Sequence, residues 1–203
     1  MTAGFSRRVW AGIVLSLVLA SSAALAQQPV RVRGTIEQVD GATLSIKAKD
    51  GAPLKVVLAD NATILAILKR SLADIKPGEF IGTAATSQGD GVLHALEVHI
   101  FPENMRGTGE GHRDWEMPGS SMTNATVTDT VTGVKGNIFT LRYKGGEQKV
   151  MVGRDTPIVT YAPGDKSDLK PGAAIFIAAA TKGEDGNLHA ARISVQRTAP
   201  PPM

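Results

Sequence analysis

The feature that most constrains this chain is that it repeats itself. Asp74-Ile75-Lys76-Pro77-Gly78 recurs as Asp168-Leu169-Lys170-Pro171-Gly172, an offset of 94. Asp90-Gly91-Val92-Leu93-His94-Ala95 recurs as Asp185-Gly186-Asn187-Leu188-His189-Ala190, an offset of 95. Upstream, Val32, Ile36, Val39, Leu44 and Ile46 align at 95 with Val127, Val131, Val134, Phe139 and Leu141, and Val56-Val57-Leu58 falls on Val150-Met151-Val152 at 94. Four coincidences in one order at nearly constant spacing read as a duplication of about 70 residues.

Each copy reads as β structure. Val30 to Val39 alternates apolar and polar residues, the period of a half-buried strand. Asp40-Gly41 turns, Thr43 to Lys47 alternates again, Asp50-Gly51 turns, and Leu54 to Leu58 makes a third strand. Phe80 to Thr86 and Val92 to Ile100 follow. The second copy supplies strands at 126–134, 138–143, 148–152, 174–181 and 188–195. Between the third and fourth strands, Ile64 to Ala73 carries apolar residues at 64, 65, 67, 68 and 72, which predicts a short helix stopped by Lys76-Pro77-Gly78. The matching stretch 158–164 ends in Pro163-Gly164 and predicts a loop.

Five short strands with a longer connection after the third is the order of an OB-type barrel, and closure removes the exposed edges that a small sheet would otherwise present. The expected fold is all-β: a tandem pair of small OB-like five-stranded barrels, with six strands or an open roll as alternatives, joined by an ordered linker. The expected division is a leader over 1–26, a β module over 27–100, a linker over 101–124, a second module over 125–197 and a disordered tail over 198–203. With its exported leader, its D-[IL]-K-P-G element and its D-G-x-L-H-A hairpin, the chain resembles bacterial exported β-barrel repeat domains of a family of unknown function. That resemblance implies a fold and a compartment and carries no catalytic residues.

The leader has the three parts of a cleavable signal: Arg7 and Arg8, an apolar run from Trp10 to Ala20, and Ala24-Leu25-Ala26 as the cleavage site. The expected location is therefore the periplasm or the exterior, and Ser6-Arg7-Arg8 leaves export by the general or the twin-arginine route open. The apolar run is shorter than the ~20 residues that a spanning helix needs. Losing the leader leaves 20 basic residues against 19 acidic ones, a formal charge of +1, with no basic run. Nucleic acid is not an expected partner, because its recognition needs clustered Lys and Arg. The chain has no cysteine, so packing alone must hold it, and thiolate metal sites and cysteine nucleophiles are excluded.

Residues 101–124 belong to neither repeat and hold Phe101, His112, Trp115 and the methionines Met105, Met117 and Met122. Three roles fit such a composition. The first is a clasp, with Trp115 packed against the modules. The second is a recognition loop for a protein, a glycan or a small ligand, with Trp115 and His112 as anchors and Arg106, Arg113, Asp114 and Glu116 as its polar rim. The third is a copper site, since His112 with the thioethers of Met105, Met117 and Met122 is the donor set that Cu(I) prefers. His94 and His189 occupy the same place in each repeat and are expected to close their hairpins by a hydrogen bond. His99 alternates with Val98 and Ile100 and is expected in solvent.

Enzyme signatures are thin: no G-x-S-x-G elbow, H-E-x-x-H helix, P-loop or dinucleotide fingerprint occurs. Gly107-Thr108-Gly109-Glu110-Gly111 reads as a flexible turn, and the loop pair Asp114 and Glu116 is too common an arrangement to assign acid–base work. The expected role is binding or scaffolding without catalysis and without a cofactor, with copper handling as the alternative.

Overall fold

The computed structural model describes residues 28–202. The leader expected over 1–26 lies outside them. The described chain is all-β apart from three short 3-10 turns. Its strands are β1 (Val30–Asp40), β2 (Thr43–Ala48), β3 (Pro53–Lys69), β4 (Phe80–Ser87), β5 (Leu93–Ile100), β6 (Gly111–Asp114), β7 (Ser120–Gly133), β8 (Gly136–Tyr143), β9 (Gly146–Gly153), β10 (Ile158–Pro163), β11 (Ala174–Lys182) and β12 (Leu188–Gln196). No described helix is long and apolar enough to cross a membrane.

Five strands close a barrel. β1 pairs β2, β2 pairs β3, β3 pairs β12 in parallel, β12 pairs β11, and β11 returns to β1. Inside it, Val32, Ile36, Leu44, Ile46, Val56, Ile175, Ile177, Ile193 and Val195 are almost wholly buried. The remaining long strands form a second circuit of pairings, β4–β5–β9–β8–β7 and back to β4. Its apolar cluster holds Ile81, Val98, Ile100, Val127, Phe139, Leu141, Val150 and Val152.

Neither circuit is one half of the chain. The first takes three strands from residues 30–69 and two from 174–196, and the second takes two from 80–100 and three from 120–153. The expected tandem arrangement, in which 27–100 and 125–197 each close alone, is therefore replaced by an exchange of strands between the halves.

The exchange follows from β3, which corrects the helix expected over 64–73. The strand runs straight on to Lys69, and only Leu72–Asp74 forms a single 3-10 turn. The expected loop at 158–164 is strand β10, which pairs antiparallel with β3 and parallel with β5. Tyr161 is paired with Ile67, its own counterpart at the 94-residue offset, and Val159↔Lys69 and Pro163↔Leu65 lie symmetrically on either side. The apolar spacing at 64, 65, 67 and 68 thus belongs to a strand covered on both faces rather than to one stripe of a helix. Ala66 and Ile67 are fully buried although they point to opposite faces.

The alignment of the first strands also shifts. Ile36 pairs with Ile46 and Val127 with Leu141, so Val127 stands where Ile36 does, not where Val32 does. The β7–β8 hairpin is longer than the β1–β2 hairpin, and Val131 and Val134 project from it, 60% and 88% exposed.

The recurrent motifs perform the same local work in both places. Asp74 accepts from the backbone N–H of Ser71 at 2.8 Å, and Asp168 accepts from that of Asp165 at 3.0 Å. Gly78 and Gly172 turn the chain at φ 92° and 88°, where a side chain would be strained. The imidazole of His94 meets Asp90 at 2.8 Å and that of His189 meets Asp185 at 3.0 Å, each closing its hairpin.

Candidate functional site

The segment 101–124 is not a separate linker. Ser120–Asn124 are the first residues of β7, and Gly111–Asp114 form β6 at its edge. The antiparallel register sets His112 opposite Thr123 and Arg113 opposite Met122. Side chains alternate along a strand, so His112 and Arg113 project to opposite faces of this ladder. Arg113 and Met122 share the face that looks out of the second circuit toward the first barrel, and His112 turns the other way. His112 is exposed, and its Nδ1 meets Thr123 Oγ1 at 2.8 Å.

Across β7, β4 and β5 the register places Asn124, Gly82 and His99 in one row. His99 is only 6% exposed, which corrects its expected place in solvent. It does point away from the interior of its circuit, as alternation predicts, but the outer face there is covered. Phe101 packs edge-on against its ring at 4.5 Å between centroids, and Tyr161 lies 5.9 Å away. Neither ring nitrogen has a hydrogen-bond partner. Burial, with Arg113 nearby, holds the imidazole down to about 4, so it is neutral at physiological pH. Asn124 is 5% exposed; its Nδ2 donates to the Thr108 carbonyl at 2.9 Å, and its Oδ1 has no partner.

These groups line a cavity of about 680 Å³ between the outer faces of the two strand circuits. Phe101, Met122, Trp115 and Tyr161 supply its apolar wall from one side, and Leu65 and Phe176 supply it from the other. Burial beside Glu97 pushes the Tyr161 phenol up to about 12, so it stays a hydrogen-bond donor. A second concavity of about 800 Å³, walled by Lys69, Arg70, Arg154 and the prolines 200–202, has no aromatic side chain.

Trp115 is half-buried at the mouth of the aromatic cavity. The guanidinium of Arg31 lies 5.1 Å from its ring centroid and that of Arg113 5.5 Å, while the indole N–H is enclosed without an acceptor. Its neighbour Glu116 reaches Arg31 at 3.0 Å and Arg33 at 3.5 Å, tying the segment to β1. Trp115 thus fits both the clasp and the recognition roles at once.

Of the other expected site residues, Met105, Arg113 and Met122 line this cavity, and His112, Arg106, Asp114, Glu116 and Met117 do not. Arg106 is bound to Glu103 at 2.6 Å and to the Gly78 carbonyl at 3.0 Å. Met117 is 39% exposed and outside the cavity, so the expected copper donors His112, Met105, Met117 and Met122 are not brought to one point. Sequence reasoning missed His99, Phe101's stacking, Asn124 and Tyr161. Only the apolar neighbours of His99 hinted at its burial.

Of the expected disordered tail, residues 198–202 are described, and Ala199 and Pro202 among them are buried. The amides of Arg197, Thr198 and Ala199 all donate to the Ile67 carbonyl, and Ala199 is 7% exposed. Arg33 donates to the Pro202 carbonyl at the edge of the cavity. Compared with protein-family models, with curated proteins and with solved structures, the chain matches none.

Proposed function

We propose that this is an exported, non-catalytic binding protein whose ligand seats in the aromatic cavity between its two strand circuits. One observation carries the reading: His99, Asn124 and Trp115 line one cavity, and each keeps a buried polar atom without a partner among the described residues. Leaving such groups unsatisfied costs about 1–3 kcal/mol each, so a site that keeps three of them is suited to a ligand that satisfies them. The volume is that of pockets for small organic molecules, roughly 300–1,000 Å³. No triad or carboxylate pair lies in the lining, which supports binding over chemistry.

The architecture is read as a duplicated OB-like module whose two copies have exchanged their last two strands. The paired counterparts Ile67 and Tyr161 and the matching capping aspartates support this. The leader over 1–26, with its A-x-A site, supports export to the periplasm or beyond, and the resemblance to exported β-barrel repeat domains supports the same compartment.

Phenylnaphthylamine, an uncharged aromatic probe, tests the cavity on the chain beginning at Gln27. One equivalent should bind and quench Trp115. Ala178→Trp, which fills the groove from an exposed position, should abolish binding without lowering the melting temperature. Binding unaffected by that substitution, or no binding of either this probe or its sulfonated analogue, would overturn the reading. A second reading rests on Met105 and Met122 sharing this cavity with the free nitrogens of His99, a soft donor set for Cu(I). Uptake of Cu(I) that His99→Gln removes would favour it.

A further inference from the structure

Three arginines line the cavity, Arg31, Arg113 and Arg192, and no aspartate or glutamate does. This imbalance is local, since the chain beginning at Gln27 is nearly neutral. Arg31 and Arg113 sit against the same indole, and burial, with Arg31 nearby, lowers the pKa of the Arg113 guanidinium from its ordinary value. Arg31 has Glu116 as a counterion. Arg113 donates to the Gly109 carbonyl at 2.8 Å and has no carboxylate within ion-pair distance among the described residues. Two guanidinium groups set against one indole at the mouth of an aromatic cavity make that mouth positive, and a planar fork suits carboxylate, sulfonate or phosphate oxygens.

Below that mouth the chemistry changes. Phe101, Tyr161, Phe176 and Met122 offer apolar surface, and the neutral His99 with Asn124 offers a small polar floor. An inorganic anion would satisfy the arginines and leave this interior unused, and a neutral hydrocarbon would do the reverse.

We infer that the ligand of this cavity is an amphipathic organic anion: an aromatic or aliphatic body packed on Phe101, Tyr161 and Met122, with its anionic group held between Arg31 and Arg113. The inference rests on the binding role proposed above and names the ligand class for the same site.

The test compares two probes that share one skeleton. Anilinonaphthalenesulfonate carries an anionic group, and phenylnaphthylamine lacks it. Binding to the chain beginning at Gln27 is followed by energy transfer from Trp115, the only tryptophan left once Trp10 is absent. The sulfonate should bind about tenfold or more tighter, the gain expected from one charge-assisted contact. That gain should shrink as salt is raised. Arg113→Gln and Arg31→Gln should each remove most of the sulfonate's advantage over the neutral probe, with circular dichroism confirming the fold. Should either variant fail to fold, the salt dependence of the unaltered protein decides. Equal affinities for the two probes, or arginine substitutions that weaken both alike, would overturn the anion assignment and leave the cavity a binding site. Failure of both probes would overturn the binding role itself.

Discussion

His99 lies directly over Gly82: a Cβ built on that glycine would stand 1.8 Å from His99 Nε2 and 2.7 Å from Asn124 Oδ1. A glycine in the middle of a strand ordinarily weakens it, and here the imidazole of the neighbouring strand fills the space where a side chain is missing. Gly82→Ala should therefore destabilise by about 2–4 kcal/mol, since ring and backbone cannot both keep their places. Because the clash is with one ring, His99→Ala in the same chain should recover a part of that loss. Denaturant unfolding of the two single variants and the double variant measures the coupling. Simple additivity would show that Gly82 matters for another reason.

The burial of His99 makes stability depend on pH. Its folded pKa, about 4, lies below the ordinary value of 6.5. The unfolded chain binds the extra proton between these values, so this contribution is complete above about 6.5 and is lost as pH falls through the window toward 4. The full loss is on the order of 3 kcal/mol. Melting curves from pH 7 to pH 4 should fall more steeply for the unaltered protein than for His99→Gln. Parallel curves would mean the ring is hydrated in solution.

Asp74 and Asp168 hold the same place in the repeated motif, yet their removal should not cost the same. Asp74 is exposed and accepts only from Ser71, at 2.8 Å from both N and Oγ. Asp168 is buried and also receives a bidentate Arg197 at 2.8 and 2.6 Å, which ties down the segment leading into the packed tail. Asp74→Ala should cost about 1 kcal/mol, as other lost caps do. Asp168→Ala should cost about 2–3 kcal/mol, since a charge-assisted pair goes as well. Equal losses in urea unfolding would remove any role for the Arg197 contact.

The exchanged strands predict how the chain behaves when cut. Opening the backbone between Arg106 and Gly107, in an exposed loop, leaves β3 paired with β12 and β4 paired with β7 across the two pieces. The pieces should stay bound as a one-to-one complex under native conditions and should not separate on gel filtration. Two stable monomeric pieces would show that each half can close alone, and the exchange would lose its support.

Most of the local structure was legible in the residues. Ten strands lie where alternation placed them, because each turns one face to the interior of its strand circuit and the other outside it. The hairpin histidines and the motif Lys-Pro-Gly were legible for the same reason: their work is done within a few residues. What failed was every stretch covered on both sides. Ile64–Leu68 imitates a helical stripe because Ala66 and Ile67 are buried on opposite faces, His99 was placed in solvent because a partner element covers the outer face, and Pro200–Pro202 looked like a free end.

The sequence by itself therefore determined the strands, their turns and the capping aspartates, since those depend on neighbours in the chain. Which strands complete which circuit was decided only in the tertiary structure. Circuits with the same pattern of inward residues can be completed by strands from either half of the chain. β3, paired through Ile67 with Tyr161 of β10, is linked by that strand to β5 of the second circuit. The cavity lies between the two circuits, so its lining from residues 31 to 202 could not be assembled by reading along the chain.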